Sequence, residues 1–163
     1  MNGALLEAFR HNAWATRHLL VFCRDLPPEQ LATGAPGTYG TILDTFHHII
    51  RADASYLRRL AGSGPAWGDD SADLDELVAR AEETQQGWEE YLARPDDADR
   101  VLVVDDGKNE VRAGIFIAQA LHHGNAHREQ ICAGLTGSGI EPPDIQPWEY
   151  AWATGRLWER SGQ

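Results

Sequence analysis

Four stretches of this chain, each roughly 20 to 25 residues long, repeat apolar residues every three or four positions, and this helical period constrains the fold more than any other feature. The first runs from about Gly3 to Arg24, with Leu5, Phe9, Ala13, Thr16, Leu20 and Cys23 in step, and Pro27 and Pro28 end it. The second spans Thr41 to Leu60 and carries Ile42, Phe46, Ile49, Leu57 and Leu60 on one side. The third is expected to open near Asp70 and Ser71, both good N-cap residues, and to stop before Pro95. Leu74, Leu77, Val78, Ala81, Trp88, Tyr91 and Leu92 form its apolar face. The fourth runs from about Ala113 to Leu135, with Gly137 and Gly139 as its stop.

Between Arg100 and Arg112 the pattern changes. Val101 to Val104 is β-prone, Asp106-Gly107 is a hairpin-type turn, and Val111 lies on the return. The tail, after Pro142, Pro143 and Pro147, predicts a helical turn or two holding Trp148, Trp152 and Trp158, tryptophans whose ordinary use is core or dimer packing. Four amphipathic helices with one long excursion before the last predict an all-α chain. The expected form is an up-down-down-up four-helix bundle with a small β-hairpin in the excursion, one domain over residues 1–163.

Charge narrows the function classes. Lys and Arg number 14 against 25 Asp and Glu, a net charge of -11. That balance argues against duplex nucleic acid and anionic membranes as partners, since both are bound through basic residues. No apolar run approaches the roughly 20 residues of a membrane span, and Glu7 and Arg10 interrupt the stretch where a signal peptide needs continuous apolar residues. A cytoplasmic protein is expected. Cys23 and Cys132 stand alone without CxxC spacing and are read as buried reduced thiols.

The histidines carry the chemistry. His123 and His127, four residues apart on the fourth helix, point the same way one turn apart and can share an ion. They also lie in the stripe Phe116, Ala120, His123, His127, Ile131, where apolar residues are expected. A buried polar group left without a partner costs about 1 to 3 kcal/mol, and a metal would satisfy both rings together. His47 and His48 on the second helix offer a third imidazole from a facing position. They differ by about 100° around the axis, so only one of them can point at the ion. Three imidazoles leave at least one coordination position open, the arrangement of a catalytic ion, and they suit zinc or nickel, with iron, manganese or copper admissible. Asp44, four residues before His48, is a candidate to orient a ligand or accept a proton, although a solvated helix carboxylate is its ordinary use. Gly124 is read as a point of close backbone approach or a tolerated helix glycine, and His11, His18 and His122 as surface or rim residues.

Three segments, Phe9 to Thr16, Thr45 to Asp53, and above all His123-Gly124-Asn125-Ala126-His127-Arg128-Glu129-Gln130, resemble the DinB-like superfamily in order and spacing over nearly the whole chain. The resemblance implies a four-helix bundle, commonly dimeric, with a divalent metal held by three histidines. In the family pattern the upstream ligand is followed by an aliphatic residue and, five positions on, by an acidic one. That register selects His48, with Ile49 and Asp53 following, over His47, and the downstream ligands fall on His123 and His127. Arg128 and Gln130 match the motif as packing residues. The family includes transferases and an isomerase dependent on the low-molecular-weight thiols bacillithiol or mycothiol. The expectation is therefore a metal-dependent enzyme, a homodimer that joins a thiol to a small electrophile. A hydrolase using water, or a non-enzymatic metal-binding stress-response module, are the alternatives. No Ser-His-Asp triad, P-loop or dinucleotide fingerprint offers a rival chemistry.

Overall fold

Helix α1 (Gly3–Cys23) turns Phe9, Thr16, Leu20 and Cys23 inward as expected, with Asn12, Ala15 and Leu19 buried beside them, while Leu5 and Ala13 are only half-buried. The structure, a computed structural model, describes residues 3–68 and 72–160. A single turn, α2 (Pro28–Leu31), starts on a proline, which has no N–H to leave unpaired at that position. Helix α3 (Ile42–Ala61) begins with a reciprocal cap. The Thr41 hydroxyl accepts the Asp44 N–H, and the Asp44 carboxylate accepts the Thr41 N–H, each at 3.1 Å. It ends on Gly62 at φ 75°, the left-handed position that a side chain would strain.

Helix α4 (Leu74–Ala93) opens later than the sequence suggests. Asp70 and Ser71 lie outside the described residues, and it is the Asp73 carboxylate that accepts the Glu76 N–H at 2.9 Å. Strands β1 (Val101–Val104) and β2 (Asn109–Arg112) then pair antiparallel, with Val101 opposite Arg112 and Val104 opposite Asn109. The turn between them is wider than an Asp-Gly pair. A short 3-10 turn over Asp105–Gly107 holds Asp105 and Asp106 at φ 53° and 56°, a conformation aspartate tolerates, and Asn109 donates to the Asp105 carboxylate at 2.7 Å. Helix α5 (Ala113–Gly137) follows, and a short α6 (Pro147–Ala153) lies near the C-terminus.

Contacts fix the helix directions. Along α1, Phe9 stacks near Trp88, Arg17 pairs with Glu82 and Arg24 with Asp75, so α4 runs antiparallel to α1. Ile42 lies beside Gly134, His48 beside His123 and Tyr56 near Phe116, so α3 and α5 are antiparallel too. One core cluster joins Leu19, Leu20 and Cys23 to Ile131 and Leu135, and Ile42 to Ile50 to Leu77 and Val78. The other joins Phe9, Leu57 and Leu60 to Trp88, Tyr91, Ala113 and Ala120. Up-down-down-up is the order these contacts require, as expected. The two clusters are accompanied by a polar layer. Arg128, only 2% exposed, donates through Nη1 to Asn12 O at 3.1 Å, Asn12 Oδ1 at 2.8 Å and Thr16 Oγ1 at 3.0 Å.

Two details depart from the simplest reading. Trp148, Trp152 and Trp158 are exposed rather than packed in the core of the chain. What holds this end is Tyr150, buried with its ring 5.6 Å from Trp14 and 5.7 Å from His11, together with Glu7, which accepts from Arg156 Nε at 2.6 Å and from the Tyr150 hydroxyl at 3.3 Å. Cys23 and Cys132 are free thiols, but only Cys23 is fully buried. Burial pushes them up to about 12 and about 11, so neither is a thiolate near neutral pH. Among the described residues, no helix is long and apolar enough to cross a membrane.

Candidate metal centre

The antiparallel pairing of α3 with α5 brings His48 against the His123–His127 turn. Nε2 of His48 lies 2.9 Å from Nε2 of His123, a separation at which two imidazole nitrogens share a proton or a cation. The three ring centroids are 4.4, 4.6 and 4.7 Å apart. One ligating nitrogen from each ring lies within 4.8 Å of the other two. An ion bound at about 2.0 to 2.1 Å from each nitrogen sets them roughly 3 to 4 Å apart, so small ring rotations close the set. Three neutral imidazoles are the donors that borderline divalent ions take, and the residues fit such an ion.

Protonation favours the same use. Burial, reinforced by His127, His48 and His122, holds His123 down to about 4. Burial, His127 and the nearby Arg51 guanidinium lower His48. Both rings therefore keep their lone pairs near neutral pH, the state a metal requires.

The surroundings orient the rings. Gln130 Oε1 accepts the backbone N–H of Tyr39 at 3.0 Å, which identifies that amide atom as the oxygen, and the same oxygen lies 2.9 Å from His127 Nδ1. Nδ1 of His127 must then carry the proton, which leaves Nε2 as its ligating atom. The Tyr39 ring lies over His48 at 3.9 Å and 18°, and stands edge-on to His127 at 5.7 Å. Tyr56 stands edge-on to His123 at 5.7 Å, with its hydroxyl accepting from Gln119 at 3.5 Å.

All three histidines expected as ligands are brought together. His47 is not among them: it is 5% exposed, on the adjoining face of α3, and its Nε2 has no partner among the described residues. His122 is exposed and not one of the clustered rings, while His18 stacks on Trp14 at 4.7 Å and His11 meets the Ile145 carbonyl at 2.9 Å. Asp44 does not orient a ligand; its carboxylate is taken up by the cap of α3. Arg128 packs as expected. Gln130 does more, because it sets the tautomer of His127. Gly124 is a close approach: a Cβ there would stand 2.6 Å from Asn12 Oδ1.

Two residues escape the sequence reading, and a third, Asp53, enters it only as the acidic position that follows His48. Tyr39 comes from the Gly-bearing connector, where no period exists to place it. Tyr56 lies two turns beyond His48 on α3 and could have been found by extending that face. Asp53 accepts from Trp88 Nε1 at 2.9 Å, and burial pushes its carboxyl up to about 7 against the pull of Trp88 and Arg128.

A family model described as the DinB superfamily matches residues 11–131, a span that contains all three clustered histidines together with Asn12, Asp53 and Gln130. No curated protein matches the chain.

Proposed function

The chain belongs to the DinB superfamily, and from that premise we propose that it is a divalent-metal-dependent enzyme. Its ion would be held by His48, His123 and His127, and its reaction would join a low-molecular-weight thiol to a small electrophile. The observation that carries this reading is the convergence of three imidazoles from two helices on one point. Beside them lies a cavity of about 450 Å³, lined in part by His48 and Tyr39, within the size range of small-molecule sites.

When bound, the ion supplies Lewis acidity, which removes the proton of a coordinated thiol without help from a general base. The chain's own residues do the positioning. Gln130 holds His127 in the tautomer that presents Nε2, and the Tyr39 ring covers His48 and limits its rotation. Tyr56 closes the far side of His123.

Metal analysis of tag-free protein tests the site. Wild type and His47→Ala are expected to hold about one ion per chain, and His48→Ala and His123→Ala to lose it. Loss on His47→Ala with retention on His48→Ala would overturn the assignment. Conjugation of a generic electrophile with cellular thiols tests the reaction, and activity that survives complete metal removal would refute it.

A further inference from the structure

Arg128 is buried to all but 2% of its surface, yet only part of its guanidinium is satisfied. Nη1 makes every hydrogen bond the side chain has, to Asn12 and Thr16, and all three acceptors are neutral oxygens. Nε, which is closed to water, and Nη2 donate to nothing among the described residues. Asp53 and Glu129 act on the charge from a distance; neither pairs with it, and the Asp53 carboxyl is taken up by Trp88. In a guanidinium, Nε–H and the neighbouring Nη2–H lie parallel on one edge, and that edge is a fork that holds both oxygens of a carboxylate. The unused donors of Arg128 are the pair that matches this ligand group.

Arg128 also lines a cavity of about 540 Å³ that shares no residue with the histidine cluster, a volume within the range of small-molecule sites. Leu121, Asn125 and Arg128 follow one another at steps of four and three, so they share one face of α5. The single step from His127 to Arg128 turns that face about 100° away from the ligands. The sides are apolar: Ala8 comes from α1, Leu121 from α5, and Tyr150 and Ala151 from α6. Two other charged groups line the cavity, Glu7 and Arg156, and they are paired with each other, with Arg10 and the Tyr150 hydroxyl adding to the hold on Glu7. Arg128 is therefore the lining charge without a counter-ion among the described residues.

We propose that this cavity is a second binding site, independent of the histidine centre. It takes a small monocarboxylate with an apolar body, the carboxylate on the Nε–Nη2 edge of Arg128 and the body between α1, α5 and α6. A donor enclosed without an acceptor is costly, and a ligand carboxylate supplies the missing acceptors together with the missing negative charge. The alanines leave room for the body, and the apolar walls favour it over water.

Hexanoate, hexan-1-ol and acetate are the probes, read by titration calorimetry and amide NMR shifts on protein as purified and after metal removal by a chelator. Hexanoate is expected to bind at least about tenfold more tightly than hexan-1-ol, which lacks the carboxylate, and than acetate, which lacks the body, with equal affinity in the two metal states. The shifts are expected at Asn12, Asn125 and Tyr150. Ala8→Phe and Ala151→Trp fill the cavity from α1 and α6 without altering the guanidinium, and each is expected to weaken hexanoate at least about tenfold. Arg128→Lys keeps the charge and loses the fork, and is expected to reduce the preference for the acid; should it fail to fold, the two alanine variants decide. Absence of saturable hexanoate binding, equal affinity for hexanoate and hexan-1-ol, or full hexanoate affinity in both alanine variants overturns the inference. So does an acid that binds only the metal-loaded protein, since it belongs to the histidines.

Discussion

Replacing Gly124 by alanine sets two effects of known sign against each other. In the middle of α5 the substitution raises helix propensity by about 1 kcal/mol. Against that, the new Cβ would stand 2.6 Å from Asn12 Oδ1 and 3.0 Å from Arg128 Nη1, contacts that cannot persist. Asn12 and Arg128 are both buried, and Nη1 is the atom that makes all three bonds to Asn12 O, Asn12 Oδ1 and Thr16 Oγ1. A hydrogen bond to a charged group contributes about 1.5 to 3 kcal/mol, and a buried guanidinium deprived of acceptors has no water to turn to. Losing one or two of these bonds outweighs the propensity gain, for a net loss of about 2 to 4 kcal/mol, or roughly 5 to 15 °C in Tm for a chain of this size. The assay is thermal and urea unfolding with a chelator present, so that metal binding does not contribute. Gly137→Ala serves as the control, since its Cβ would meet nothing within 4 Å and should be neutral or mildly stabilising. If Gly124→Ala proves as stable as wild type, Asn12 can swing aside at no cost, and the role assigned to the polar layer is wrong.

Gln130→Leu removes the acceptor of His127 Nδ1 without touching a ligand, and is expected to weaken metal binding by about 10- to 100-fold while leaving the fold intact; competition with a chromophoric chelator measures it. Asp53, raised to about 7 when folded, binds its proton more tightly in the folded than in the unfolded state. Its contribution is therefore complete below about pH 4 and lost as pH rises through 7. Wild-type stability measured against Asp53→Asn should fall by up to about 4 kcal/mol over that window, and parallel curves would refute the assignment. Glu7→Ala removes the carboxylate that receives both Arg156 and Tyr150; faster amide exchange at Arg156 and Leu157 is expected, with little change in global stability because exposed ion pairs contribute at most about 1 kcal/mol.

The bundle is legible in the sequence because its helices bury stripes, and stripes have a period. Helix starts are less so. Thr41 and Asp44 stand at the spacing of a reciprocal cap, and reading that spacing first would have removed Asp44 from the list of candidates near the ion. The third helix shows the same weakness, since several residues ahead of it can cap and only local geometry selects Asp73. The polar layer is harder still: Arg128 and Asn12 are 116 residues apart, and nothing in either segment alone reveals that they meet.

The choice between His47 and His48 shows what periodicity can and cannot do. Ranking by burial alone would select His47, the more deeply enclosed of the two. A ligand, however, belongs at the edge of an apolar stripe, where a facing helix and an opening meet, and His48 occupies that edge with His123 on one side and the cavity on the other. The family register pointed to His48, and the geometry supplies the physical reason. The same reasoning extends to Gln130. At three residues from His127 it is a helical neighbour by construction, so its contact with the ring was available from spacing, whereas its second contact, to the Tyr39 N–H, depends on an aperiodic connector. That second contact is what fixes the amide oxygen and hence the tautomer. The part of the centre that decides which nitrogen faces the ion is thus the part that helical period leaves unspecified.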